Sequence, residues 1–423
     1  MGADHAPSSP ADWIPMRWSN ADPKSLELLQ DHPVNCLLVE AKHWTPELAA
    51  HARQMQIVVL KGDANSPSYS SSESGVTVTL RPRHLMDTDR PIAATDQGIW
   101  PGVRAEEEGK AHAAASGAAW IDTNAGFLRF MRATAKPDTT IWIAIQPKPG
   151  SIYPVERYLQ AIGDASMAGG RWVLAFDDDF TKRLYSRDAK ALKDWKRIGE
   201  ILRFYEAHKE WRTARAYSKL ALVQSAEGGG LVSGGVLDMI AVKHTPVKPV
   251  SPKALDHKSM LDAQLAVNVD PSSLTPEQRE ILKKFTAAGG TLLTGPPGWK
   301  FPDLKPGQIT LSKEDLEKLD GIWKEMNSMI GRRNLGARLF NVATMQSNLQ
   351  MTADAKQVLL QLVNYADFPV ENITVHLLGE YKSAKLYMPE SPKPLTLDLY
   401  KIDEGMGLDL DRIATVGVLV LEP

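Results

Sequence analysis

The chain is 423 residues long, more than one ordinary hydrophobic core organises, and so has room for two or three domains including a large barrel. Its 49 Lys and Arg nearly cancel its 51 Asp and Glu, for a net charge of −2, and no long block of like charge occurs, so neither nucleic acid nor an anionic membrane would find an electrostatic footprint. The one cysteine, Cys36, lies in an apolar run from Val34 to Val39; it reads as a buried small hydrophobe and leaves no intrachain disulfide or cysteine-based metal site.

No segment approaches the roughly 18 to 20 apolar residues of a membrane span. Residues 1–12, rich in Ala, Ser and Pro, read as a flexible leader or the scar of a replaced signal peptide, which makes a secreted or periplasmic protein the expectation. From Trp13 onward, short apolar runs alternate with helical patterns, the signature of repeated βα units. Eight strands are expected: Trp13 to Trp18, Asn35 to Glu40, Ile57 to Lys61, Val76 to Leu80, Ile92 to Thr95, Ala119 to Asp122, Ile141 to Gln146 and Trp172 to Asp177. Helices fit between most of them, at Pro23 to Gln30, Pro46 to Met55, Glu106 to Ser116, Phe127 to Thr134, Pro154 to Met167 and Asp188 to Trp211. Eight strands close a barrel, so residues 13–212 are expected to form a (β/α)8 TIM barrel, irregular around the Ser-rich, polar stretch Asn65 to Ser74.

Residues 213–345 carry a second α/β pattern. Strands are expected at Leu220 to Gln224, Val247 to Val250 and Gln264 to Val269, with a Gly-rich turn from Glu227 to Gly235. The segment Ser273 to Gly295 then places Thr275 as a helix cap, Pro276 at the first helical position, and Gly289-Gly290 as the stop before the strand Thr-Leu-Leu. Over Leu220 to Gly295, this order of strand, capped helix and "GGTLL" resembles the amidotransferase-like domain that follows the barrel in several glycoside hydrolases, including β-galactosidases with a trimerisation domain. The resemblance implies a doubly wound α/β domain that is structural or oligomeric, hence a homo-oligomer, and a carbohydrate substrate. Residues 346–423 alternate apolar and polar residues, as in Ile373 to Leu378 and Val416 to Leu421, and suit a small antiparallel β-sandwich with one solvated face per sheet.

Barrel active sites lie at the C-terminal ends of the strands. The residues that finish the expected strands form a polar rim: Arg17 and Trp18, Glu40, Lys61 and Asp63, Arg81, Asp96 and Gln97, Asp122 and Asn124, Gln146, and Asp177 to Asp179. Glycoside hydrolysis needs two carboxyl groups, about 5 Å apart for retention and roughly 6.5 to 9.5 Å for inversion. Strands two, six and eight bring one layer together, which nominates Glu40, Asp122, Asp177 and Asp178 as catalytic, with like-charge crowding expected to raise one pKa. The same residues have structural roles open to them: Asp122 and the aspartate run could cap helices. Arg17, Trp18, Lys61, Asp96, Trp100, Arg104 and Gln146 are the substrate-binding candidates. Arg104, in the loop Asp96 to Arg104, could grip an acidic sugar, and the tryptophans could stack on sugar faces or simply pack. The histidines show no metal-ligand spacing, and neither a phosphate-binding loop nor a dinucleotide fingerprint is present, so no metal or cofactor is expected.

Retaining enzymes of the large β-glycosidase superfamily carry Glu at the ends of strands four and seven, where this count puts Arg81 and Gln146. Either other carboxylates serve, or the strand count is displaced, or the barrel no longer hydrolyses. The expected function is therefore a glycoside hydrolase acting on an oligo- or polysaccharide; the alternative is a non-catalytic carbohydrate-binding or assembly protein on the same scaffold.

Overall fold

The computed structural model describes residues 9–64, 66–71, 73–103, 121–225, 237, 244–269, 271–294, 324–331 and 333–423. The chain forms two compact units, one of residues 1–100, 135–166 and 170–209, the other of residues 101–134, 167–169 and 210–423.

The first unit is an eight-stranded barrel. Its strands are β1 (Pro15–Trp18), β2 (Cys36–Val39), β3 (Val58–Gly62), β4 (Ser68–Ser70), β5 (Thr77–Arg81), β6 (Ile92–Thr95), β9 (Thr140–Ile143) and β10 (Gly170–Trp172), hydrogen-bonded in that order. Closure comes from a parallel bridge between Met16 and Leu174, where Arg17 N donates to Leu174 O at 2.8 Å and Leu174 N to Pro15 O at 3.0 Å. Inward-facing positions at alternate residues, Cys36 and Leu38, Val78 and Leu80, Ile92 and Ala94, Trp142 and Ala144, fill the barrel with side chains. Burial pushes the Cys36 thiol up, away from the reactive thiolate.

Two elements differ from the expectation. The segment Ala119 to Asp122 is not the sixth barrel strand: β8 (Ile121–Asp122) pairs antiparallel with β7 (Gly102–Val103) in a separate two-stranded ladder. The vacant place is taken by β4, which runs antiparallel to both β3 and β5, so the Ser-rich stretch is a strand of a meander instead of a loop. A three-strand meander needs no crossover helix, which is why no packed helix is required there. On the outside lie α1 (Pro46–Gln54), α3 (Val155–Met167), α4 (Asp178–Tyr185) and α5 (Ala189–Ala207). The expected helix Glu106 to Ser116 lies outside the described residues.

The second unit contains the two-stranded β7–β8 ladder, α2 (Ala125–Thr134), a parallel sheet and two larger antiparallel sheets. The parallel sheet orders β13 (Lys248–Val250), β12 (Leu220–Val223), β14 (Leu265–Asn268) and β15 (Thr291–Thr294), with apolar clusters on both faces, as a doubly wound domain requires. The helix α6 (Pro276–Ala287) starts on a capping box: Gln278 N donates to Thr275 Oγ1 at 3.3 Å, and Thr275 N to Gln278 Oε1 at 2.8 Å. It ends where Gly289 takes φ +95° and Gly290 passes so close to the Phe285 ring that a Cβ would overlap it.

The antiparallel sheets enclose one core between β16 (Ala337–Phe340), β17 (Met345–Met351), β18 (Val358–Asn364), β19 (Val370–Leu378), β20 (Ser383–Tyr387), β23 (Gly405–Ile413) and β24 (Val416–Glu422). The expected solvated face is missing on β17 and β18, which are buried on both sides. Part of that second face is satisfied within the unit: Arg129 donates to Ser347 O at 2.6 Å, Asn348 to Met167 O at 2.7 Å and Gln350 to Ala214 O at 3.4 Å.

Candidate active site

A cavity of about 160 Å³ opens at the C-terminal mouth of the barrel. Arg17 and Trp18 end β1, Glu40 follows β2 and Gln146 lies beyond β9; Tyr69 of β4 and Thr181 and Tyr185 of α4 complete the wall. The strand period explains two of these placements. Leu38 points into the barrel, so Glu40, two residues on, emerges on the same side. Arg17 reaches across to the barrel-core residue Tyr69, its Nη1 lying 3.4 Å from the phenol oxygen. Gly62 makes this close approach possible, because a Cβ there would come within 3.2 Å of both the Glu40 Cα and the Tyr69 ring.

Glu40 is the only carboxylate among the described cavity-lining residues. Lys42 Nζ lies 2.7 Å from its Oε2. That hydrogen bond, with the charges of Lys42, His43 and Arg17, holds the Glu40 carboxyl below the usual carboxylate range despite partial burial. The expected raised pKa is therefore reversed here: Glu40 sits among cations and is ionised at neutral pH. The Arg17 Nε and the Trp18 indole N–H are buried without an acceptor.

Asp177, expected as a catalytic candidate, is consumed as a cap. It is buried, its Oδ1 accepts Phe180 N at 2.8 Å, and its Oδ2 accepts the Tyr158 hydroxyl at 2.7 Å and Tyr153 N at 3.1 Å. Asp178 is exposed in the first turn of α4, and helical spacing puts it on the same side as Thr181 and Tyr185, which line the cavity. Asp122 lies in the two-stranded ladder, outside the barrel sheet, so the expected convergence of strands two, six and eight does not arise through it; its side chain, with Arg104 and Trp120, lies outside the described residues. Among the binding candidates, Asp96 is exposed and Lys61 holds its ammonium 4.1 Å above the Trp44 ring. Trp100 is packed in an aromatic cluster, stacked on Tyr153 at 4.5 Å and edge-on to Tyr158 and Trp172. Trp18 packs edge-on against Tyr185 at 5.5 Å.

Lys42, His43, Tyr69, Thr181 and Tyr185 were not among the expected site residues. Only Lys42 and His43 had a readable signal, being the first charged or ionisable residues after Glu40. No group of His, Cys, Asp and Glu able to hold a metal ion occurs among the described residues.

No protein-family model matches the sequence, and no curated protein matches it. Among solved structures, α-L-fucosidase isoenzyme 2 from Paenibacillus thiaminolyticus matches 97% of this chain and 99% of its own, with a TM-score of 0.62 at 11% identity. The chain has the fold of that fucosidase. A rhamnosidase from Novosphingobium sp. PP1Y (TM-score 0.49, 13% identity, 90% of this chain) and a β-galactosidase from Rahnella sp. R3 (TM-score 0.38, 10% identity, 68% of this chain) also match. This chain spans 38% and 57% of those two. In barrel order the seventh strand is β9, with Gln146 beyond it at the cavity, whereas the fourth, β4, runs antiparallel and contributes its middle residue, Tyr69.

Proposed function

We propose that the chain is a glycoside hydrolase that acts on a sugar held at the mouth of its barrel. The observation that carries this reading is the cavity at the C-terminal strand ends of a chain that shares its fold, end to end, with an α-L-fucosidase. Glu40 is the ionised carboxylate, suited to the part of nucleophile or base, and Asp178 on the cavity side of α4 is the second carboxyl group. The same reading carries export from the cytoplasm and self-association through the parallel-sheet domain; light scattering at micromolar concentration tests the latter. A panel of chromogenic glycosides tests the reaction: turnover by the wild-type chain should fall by on the order of 10²-fold or more in Glu40→Gln with an unchanged melting curve.

A second reading, sugar binding without hydrolysis, is favoured by the single carboxylate, Glu40, among the described cavity-lining residues, with Gln146 beyond the seventh strand unable to supply another. Saturable sugar binding with no turnover across the panel would decide for it.

A further inference from the structure

The fixed cations among the described cavity-lining residues, Arg17 and Lys42, outnumber the carboxylates, of which Glu40 is the only one. Lys42 pairs with the cavity's carboxylate, Glu40, whereas Arg17 has no ion pair with any described residue, and among the described residues its guanidinium makes only the long hydrogen bond to the Tyr69 phenol. Its Nε stays buried and unpartnered, although the residue lines the cavity. A buried donor left without an acceptor is costly, and a guanidinium fork is complementary to a planar or tetrahedral oxyanion. Neutral hydroxyls would satisfy these donors but leave the charge uncompensated.

We propose that the cavity takes an anionic sugar, whose carboxylate or sulfate group is received by Arg17. The inference rests on the reading of the cavity as a carbohydrate site and narrows it to a substrate class: a terminal uronate or a sulfated sugar. Lys42, which also lines the cavity, adds positive charge to it.

Calorimetric titration of the full chain with D-glucuronate, D-glucose, D-glucose 6-sulfate and inorganic sulfate tests it. At least one charged sugar should bind tenfold or more tightly than both glucose and inorganic sulfate, and whichever of the two it is names the group. Arg17→Gln should remove the preference, and Tyr69→Phe, which keeps the core ring but frees the guanidinium, should weaken it several-fold. Melting curves identify a variant that fails to fold, and Tyr69→Phe then carries the test. Glucose binding as tightly as the charged sugars would overturn the anionic class while leaving the carbohydrate site standing. Equal affinity for inorganic sulfate, or a preference that survives Arg17→Gln, would also overturn it. Failure of all three sugars would bring down the carbohydrate reading itself.

Discussion

Tyr158 and Asp177 are tied twice: the phenol donates to the carboxylate at 2.7 Å and accepts the aspartate's own backbone N–H at 3.1 Å. Through this pair α3 fixes the start of α4, the helix whose Thr181 and Tyr185 wall the cavity. Burial, and then the hydrogen bond to Asp177, push the Tyr158 phenol up, so it remains a donor across the working pH range. Tyr158→Phe and Asp177→Ala should each lower stability by about 1–3 kcal/mol, read by urea unfolding. Unchanged midpoints would show that α4 is held by something else.

Its neighbour should behave in the opposite way. Asp178 is exposed and forms no described cap, so Asp178→Asn should move stability by only about 0.5 kcal/mol while removing activity by on the order of 10²-fold if it supplies the second carboxyl group. Wild-type turnover in this variant would eliminate it from the reaction.

His32 carries a pH signature. Its ring stacks on Trp195 at 3.5 Å, and burial, reinforced by the Arg203 charge, pushes its pKa down to about 3. A folded-state pKa below the unfolded value of about 6.5 means that the unfolded chain binds the extra proton. The stabilising contribution is complete above about 6.5 and is lost as pH falls towards 3, at roughly 1.4 kcal/mol per pH unit at most. Denaturation at pH 7, 5 and 4 should show this slope, and His32→Gln should flatten it; equal slopes would reject the assignment.

In the parallel-sheet domain, Thr275→Ala should cost about 1 kcal/mol through loss of the capping box, and Gly290→Ala about 1–3 kcal/mol, because the new methyl group meets the Phe285 ring. Chemical denaturation monitored in the full chain measures both.

The strands and caps that were legible in the sequence share a property: their signal is local. Cys36–Val39 is an apolar run, and Thr275-Pro276 with Gly289-Gly290 is a complete start and stop, so each follows from its own residues. Ser68–Ser70 could not be read, since its one buried side chain, Tyr69, sits between serines, and it is a strand only because β3 and β5 offer ladders, helped by a 2.9 Å contact between the Ser68 and Thr79 hydroxyls. Ile121–Asp122 failed for the converse reason: its composition suits a strand but cannot say which sheet receives it. At the site, Glu40 and Arg17 were legible as strand ends, whereas the protonation state of Glu40 depended on Lys42 and the role of Asp177 on Tyr158. Neither partnership is written in strand spacing.

The closure of the barrel bears on the order of its assembly. The meander β3–β4–β5 pairs residues close in sequence, whereas the seam between Leu174 and Met16 joins opposite ends of the domain. Loop-closure entropy and contact order set such a seam late in folding. Arg17 donates its backbone N–H into that seam, so the residue that completes the wall of the cavity is also among the last to find its place. A partially folded chain would have its meander formed and its mouth still open, with no walled cavity until the two ends of the domain meet.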